Sequence, residues 1–246
     1  MNALILLPHE VNPGGDVVIT GARVASVIRE HDLTPGLRVT AAVLGGKLGH
    51  AKIIGVTTEE ITATVNLERD PPPRARAELI VAVPRPQTVK KIIHLAATLG
   101  LDRLHFIRSL HTVKSYLQSS SLSPAGIEEE IVKGLGQAVD SLPPQVAVHR
   151  SFERFAEEVL PHFVTKGWAC ALTDTHGAPR ISAQLFPGTN GGVAAIGPES
   201  GWSDFEREAF LRAGFKTVSL GERMLRVEFA AAVALAELGG LTRLPA

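Results

Sequence analysis

Three consecutive prolines, Pro71-Pro72-Pro73, interrupt the chain. They supply no backbone N–H donors and fix φ near −65°, so neither a helix nor a central strand can run through them. They favour a stiff, extended connector. The sequence differs in texture on the two sides, and we expect two domains, residues 1–70 and residues 75–246. Before the prolines, Leu37–Leu44, His50–Val56 and Ile61–Leu67 have the length and the Val/Ile/Thr content of strands. Turn signals at Asn12-Pro13-Gly14-Gly15, Pro35-Gly36 and Gly45-Gly46 punctuate them, and Ala22–His31 has helical spacing. This pattern predicts a small β-barrel carrying one helix.

Beyond the prolines, strand-length and helix-length segments alternate. Strands are expected at Glu78–Val83, Leu104–Ile107, Val146–Val148, Trp168–Thr173, Gly192–Gly197 and Thr217–Leu220. Helices are expected at Thr88–Leu99, Pro124–Val139, Phe152–Leu160, Asp204–Ala213 and Arg226–Leu238. Such alternation predicts an α/β fold with a parallel sheet covered on both faces, whose ligands sit in the loops after the strands.

The 45% apolar content over 246 residues is enough for packed cores and excludes a disordered chain. No apolar run approaches the ~18–20 residues of a membrane span. The stretch Met1–Pro8 lacks the basic residues of a signal peptide, so a cytoplasmic protein with no membrane association is expected. The single cysteine, Cys170, can form neither an internal disulfide nor a thiolate cluster, and no histidines have metal-ligand spacing. No metal is expected.

Twenty-five basic and 25 acidic residues give a net charge of zero, which by itself argues against a nucleic-acid partner. The distribution weakens that argument. Residues 85–114 carry Arg85, Lys90, Lys91, Arg103, Arg108 and Lys114 against Asp102 alone, a local excess of five. The 12 aromatics (nine Phe, two Trp, one Tyr) are too few for extensive base stacking, so contact through phosphates and shape fits better.

The loop Val83-Pro84-Arg85-Pro86-Gln87, after the first expected strand of the second domain, contains no glycine. A dinucleotide fingerprint is therefore missing where it would lie, and nucleotide-triphosphate, nucleophile-elbow and zinc-protease motifs are also missing. The informative loops come late. Ile196-Gly197-Pro198-Glu199-Ser200-Gly201-Trp202 follows a strand, and Ser203 with Glu206 forms a capping box that starts the next helix. Leu220-Gly221-Glu222-Arg223-Met224-Leu225-Arg226-Val227-Glu228 links the last strand to an Ala-rich helix. Taken singly, the first is also what a tight connector looks like, and Arg226 with Glu228 is also what a surface ion pair looks like.

As a pair, Ile-Gly-Pro-Glu-x-Gly followed by Leu-Gly-x-Arg-x-Leu-Arg-x-Glu resembles the RsmE family of ribosomal RNA methyltransferases, within the SPOUT superfamily. The resemblance extends to the two-domain layout. It implies a PUA-like β-barrel that binds RNA, then a SPOUT α/β domain with a C-terminal trefoil knot, working as a homodimer. It also implies S-adenosylmethionine as cofactor. Residues expected to bind it are Leu172, Thr173, Ile196, Gly197, Pro198, Glu199, Gly201, Leu220, Gly221, Met224 and Leu225. The implied reaction methylates N3 of a uridine in 16S rRNA of the small ribosomal subunit. Uracil N3 must lose its proton, so Arg226 is the candidate for stabilising the anion or orienting the base, and Glu228 for holding Arg226. Arg85, Lys90, Lys91, Arg108 and Lys114 are the candidate RNA contacts.

The chain departs from the family where Ser200 replaces a usual glycine and Phe229 a usual threonine. Leu95, Thr98 and Asp140 are further departures. Ser200 and Phe229 motivate a second reading, a non-catalytic RNA-binding protein that keeps the fold; a third, a methyltransferase acting on another RNA, stays open because fold does not fix substrate.

Overall fold

The computed structural model describes residues 2–174 and 178–238. The chain falls into two compact units. One comprises the chain up to Pro73 together with Ile131–Pro143, and the other comprises Arg74–Glu130 and the chain from Pro144 onward.

The first unit is a five-stranded sheet of β1 (Leu4–Leu6), β2 (Asp16–Thr20), β3 (Arg38–Val43), β4 (Leu48–Val56) and β5 (Glu60–Arg69), with helix α1 (Ala22–Glu30). Its order is β1-β3-β4-β5-β2, antiparallel except for the parallel pair β1 and β3. Alternation puts Val17 and Ile19 of β2, Ala51 and Ile53 of β4, and Ile61 and Ala63 of β5 into one core with Leu4, Leu6, Val24 and Val27. Pairing of β4 with β5 shifts register at Gly49, where a Cβ would collide with the Asn66 carbonyl, so only glycine fits this bulge. Residues 131–143 join this unit through backbone bonds. The N–H groups of Asn2 and Ala3 donate to the Gly136 carbonyl at 3.1 and 2.9 Å, and that of Gly45 donates to Ser141 at 2.7 Å.

The second unit contains β6 (Ala75–Ala82), α2 (Pro86–Thr98), β7 (Leu101–Ile107), the start of α3 (Pro124–Ala138), β8 (Gln145–His149), α4 (Phe152–Glu158) and α5 (Leu160–Thr165). It continues through β9 (Ala169–Thr173), β10 (Gly192–Ile196), α6 (Asp204–Arg212), β11 (Lys216–Val218) and α7 (Val227–Glu237). The six strands form one parallel sheet in the order β11-β9-β10-β6-β7-β8. The fold is α/β, as expected from the alternation. One expected element differs: the single helix over Phe152–Leu160 is two, because Pro161 has no N–H to continue α4 and instead sits in the first turn of α5.

One face of this sheet buries Ile80, Ile107, Leu172 and Val193 against Phe152, Phe155, Phe163, Trp202, Phe210 and Phe215. Several of the rings meet edge to face, as Phe163 and Phe215 do at 6.2 Å and 90°. Cys170 lies in this core, and burial pushes its thiol pKa up to about 12. An aromatic disulfide reagent is therefore expected to leave the folded protein unlabelled over an hour at pH 8 and to release one equivalent of thiolate in guanidinium. Rapid labelling of the native protein would contradict this burial.

Candidate functional site

Parallel strands place all their carboxyl ends on one edge of the sheet, and β11, β9 and β10 are immediate neighbours there. Their partners fix the height: Thr173 is level with Val218, and Leu172 with Ala195. The loops after these strands carry the residues singled out as cofactor candidates, brought together from positions 172 to 225 of the chain.

At the end of β9, Leu172 is buried, and the Thr173 hydroxyl donates to the Ala195 carbonyl at 2.9 Å. After β10, Ile196 is buried and Gly197 and Pro198 are half-buried. A Cβ on Gly197 would come within 3.0 Å of the Trp202 indole nitrogen. A side chain at 197 would therefore crowd the buried Trp202 ring, which would have to give by a few tenths of an ångström. Gly201 has φ +80° and closes a turn onto the Pro198 carbonyl at 2.9 Å. After β11, Leu220 is half-buried, Gly221 has φ +121°, and its N–H donates to the Ser219 hydroxyl at 3.1 Å. Met224 and Leu225 are exposed at 74% and 39%, which excludes core filling for both.

Arg226 is exposed and occupies the N-cap position of α7. Glu228, in the first turn, takes the Lys91 ammonium at 3.0 Å. Burial opposes its charge, but its own backbone N–H, Lys91 and the charge of Arg226 outweigh that and hold its carboxyl below the ordinary value. Its near partner is therefore a lysine of α2, and Arg226 acts on it only as a nearby charge.

The basic residues of 85–114 belong to the same unit. Arg85 meets Glu199 at 3.1 Å, joining the loop after β6 to the loop after β10, and Lys90 lies 3.7 Å from Glu130. With Lys91 on Glu228, three of the five candidate RNA contacts already face carboxylates from distant sequence. Arg108 and Lys114 are exposed in and beside the loop after β7.

Sequence reasoning did not single out Asp174, Glu206 as anything but a cap, or Arg207. Asp174 ends β9 and pairs with Arg207 at 2.9 Å, while Arg207 also reaches Asp204 at 2.8 Å and the Trp202 carbonyl at 3.4 Å. The only local hint was the capping box beside Arg207.

A family model described as an RNA methyltransferase domain matches residues 71–239, more than half of the chain and all three loops. The chain belongs to this RNA methyltransferase family. Two relatives span nearly all of it. One is the ribosomal RNA small subunit methyltransferase E of Treponema pallidum, 27% identical over 96% of this chain and 90% of its own length. The other, of the same name, is from Synechocystis sp., 26% identical over 97% of this chain and 77% of its own. The crystal structure of the Neisseria gonorrhoeae ribosomal RNA small subunit methyltransferase E bound to S-adenosyl methionine has the same fold, with a TM-score of 0.76 over 98% of both chains at 18% identity. The motif resemblance and the RNA methyltransferase family model point to the same class of protein.

The residues of the sheet edge fit S-adenosylmethionine as a ligand of this family. Leu220, half-buried, offers an apolar side chain for a purine, while Leu172 and Ile196 are buried and can offer only their backbone at the strand ends. Gly201 and Gly221 offer bare backbone, since a Cβ at either would meet nothing within 4 Å. Among the described residues no helix is long and apolar enough to cross a membrane, and no group of three metal-ligating side chains occurs.

Proposed function

We propose that this protein is an S-adenosylmethionine-dependent methyltransferase of the RsmE type, acting on N3 of a uridine in 16S rRNA of the small ribosomal subunit, in the cytoplasm. The observation that carries the reading is the gathering of the Thr173, Gly197–Gly201 and Leu220–Arg226 loops on one sheet edge inside the matched family region. The bound cofactor would supply an electrophilic methyl carbon on its sulfonium. Leu172, Thr173, Ile196, Gly197, Pro198, Glu199, Gly201, Leu220, Gly221, Met224 and Leu225 would hold and orient it. Arg226 would face the uracil ring, with Glu228 fixing the start of α7 through Lys91. Exposed Arg108 and Lys114 would meet phosphates, and Arg85, Lys90 and Lys91 would do so by exchanging a carboxylate for a phosphate.

The same reading takes the first unit as a PUA-like barrel that binds RNA. Its support is the exposed Arg38, directly opposite Lys52 in the β3–β4 register; two like charges in that position repel unless an anion lies between them. It takes the C-terminal region as knotted. The segment Pro179–Ile181 pairs beside Ser219, and α7 then returns from the edge strand β11 to pack on β10 and α2. A homodimer would cover Leu225, Phe229 and Val233, an exposed apolar stripe at four-residue spacing in which Phe229 is 59% exposed.

Titration with S-adenosylmethionine by calorimetry tests the first step, with saturable one-site binding at micromolar concentration expected. Incubation with radiolabelled cofactor and small subunits from a strain lacking this modification, followed by nucleoside mass spectrometry, tests the second, with 3-methyluridine expected. Binding without transfer to any RNA would favour a decayed enzyme that keeps the fold, the reading suggested by Ser200 and Phe229. Another methylated nucleoside, or another RNA, would favour the third reading.

A further inference from the structure

Three loops that carry cofactor candidates come from separate stretches of sequence, and something must hold them at a common height. The first turn of α6 is built to do so. Glu206 is buried and spends both carboxylate oxygens. One accepts from the Ser203 N–H at 2.9 Å and hydroxyl at 2.8 Å, and the other accepts the Leu110 N–H at 2.8 Å, in the loop after β7. This fixes the start of α6 in place. The next residue, Arg207, spreads its guanidinium across three acceptors: Asp174 at the end of β9, Asp204 on its own turn, and the Trp202 carbonyl in the loop after β10. Asp174 in turn donates its backbone N–H to the Val218 carbonyl of β11 at 2.9 Å. One residue pair thus touches the end of β11 through the Asp174 backbone, and joins the residue after β9 to the loop after β10 at Trp202.

We propose that Arg207 and Asp174 are a positioning pair for the cofactor: they set the relative placement of the three loops and contact neither cofactor nor RNA themselves. The inference rests on the function proposed above. An ordinary surface ion pair would contribute little, because solvent screens it. Asp174, however, is mostly buried, and Arg207 makes a planar fork whose geometry a lysine cannot reproduce. An ångström of misplacement between reacting groups can cost up to about 100-fold in rate.

Arg207→Met, Asp174→Asn, the double variant and Arg207→Lys are measured by calorimetry for S-adenosylmethionine and by thermal melting. Each of the first two is expected to weaken cofactor binding about tenfold, the size expected for losing one charge-assisted hydrogen bond, while the melting midpoint moves by only a few degrees. The double variant is expected to lose no more than either single, because both break one interaction. Arg207→Lys is expected to recover part of the affinity. Wild-type affinity in either single variant, additive losses in the double, or affinity that falls only in step with stability would overturn the proposal. Failure of the wild type to bind the cofactor would instead remove the function on which it rests.

Discussion

Replacing Arg226 by alanine is expected to lower the single-turnover rate of methyl transfer about 100-fold, the usual cost of removing one donor from a developing anion, while cofactor affinity changes less than about threefold. Uracil N3 is protonated at neutral pH, and the charge left by that proton spreads over the ring nitrogen and the flanking carbonyl oxygens. A guanidinium is always charged and presents donors in a fixed plane, which suits a flat anion with adjacent acceptors. In the proposed reading Arg226 would do this; it is exposed at the N-cap of α7, beyond the exposed Met224 and Leu225. The candidate cofactor loops lie on the same sheet edge. Arg226→Lys keeps the charge and loses the fork, so an intermediate rate is expected. A parallel loss of cofactor affinity and rate in Arg226→Ala would move this residue into the cofactor site. Lys91→Met releases Glu228 and removes a candidate phosphate contact, so it is expected to weaken RNA binding while lowering the single-turnover rate at saturating RNA less than Arg226→Ala does.

The parallel sheet was legible because its strands are apolar, short and bounded by turn residues. All six expected strands, from Glu78–Val83 to Thr217–Leu220, overlap a strand of the sheet. The capping box Ser203–Glu206 was also legible, since both partners lie within one turn. Two strands of the first unit were not. Leu4–Leu6 is three residues with every side chain buried, too short to show a period. Asp16–Thr20 alternates cleanly but is five residues long and follows a glycine-rich turn. The grouping of Ile131–Pro143 with the first unit depends on bonds such as Ala3 to Gly136, which no local pattern encodes.

In the candidate site, residue types were legible and partners were not. Glycine and arginine in the two late loops stood out by composition. That Glu228 meets Lys91, Glu199 meets Arg85, and Arg207 meets Asp174 depends on which strands are neighbours. The strand order β11-β9-β10-β6 joins elements that are far apart in sequence. The excess of five positive charges in residues 85–114 is a linear count, and folding supplies carboxylates that such a count omits.

The largest effect on stability is expected at Glu78, in the middle of the buried strand β6. Its carboxylate is 1% exposed and accepts from His105 Nε2 at 2.9 Å and Lys166 Nζ at 2.7 Å. His105 Nδ1 lies 3.1 Å from His149 Nε2, so one chain of hydrogen bonds crosses β6, β7 and β8. The Lys166 ammonium also sits 4.5 Å above the Trp168 ring. Burial opposes the charge on Glu78, but His105 and Lys166 overcome it and lower its pKa. Glu78→Ala would leave His105 and Lys166 without their acceptor, at an expected cost of about 3–5 kcal/mol in guanidinium unfolding. Glu78→Gln keeps an acceptor and should cost about half of that.

The same chain of groups sets an acid limit. Burial, aided by the charge of His105, lowers His149 to about 4 from an ordinary 6.5. Between those values the unfolded chain binds a proton that the folded chain does not, so stability falls as pH drops from 6.5 toward 4 and is unaffected by this group above 6.5. The full shift is worth about 3 kcal/mol, and partial exposure of the ring reduces it to about 2. His31, also lowered by burial, adds a loss of the same sign. Glu78, with its lowered pKa, withdraws its own contribution only below about 4.5, the ordinary carboxyl value. Unfolding free energies are expected to change little between pH 7.5 and 6.5 and to decline through pH 6, 5 and 4.5, and His149→Phe should flatten that decline without abolishing it. A wild-type curve level down to pH 4.5, or a His149→Phe curve as steep as wild type, would show that His149 titrates as it does in water.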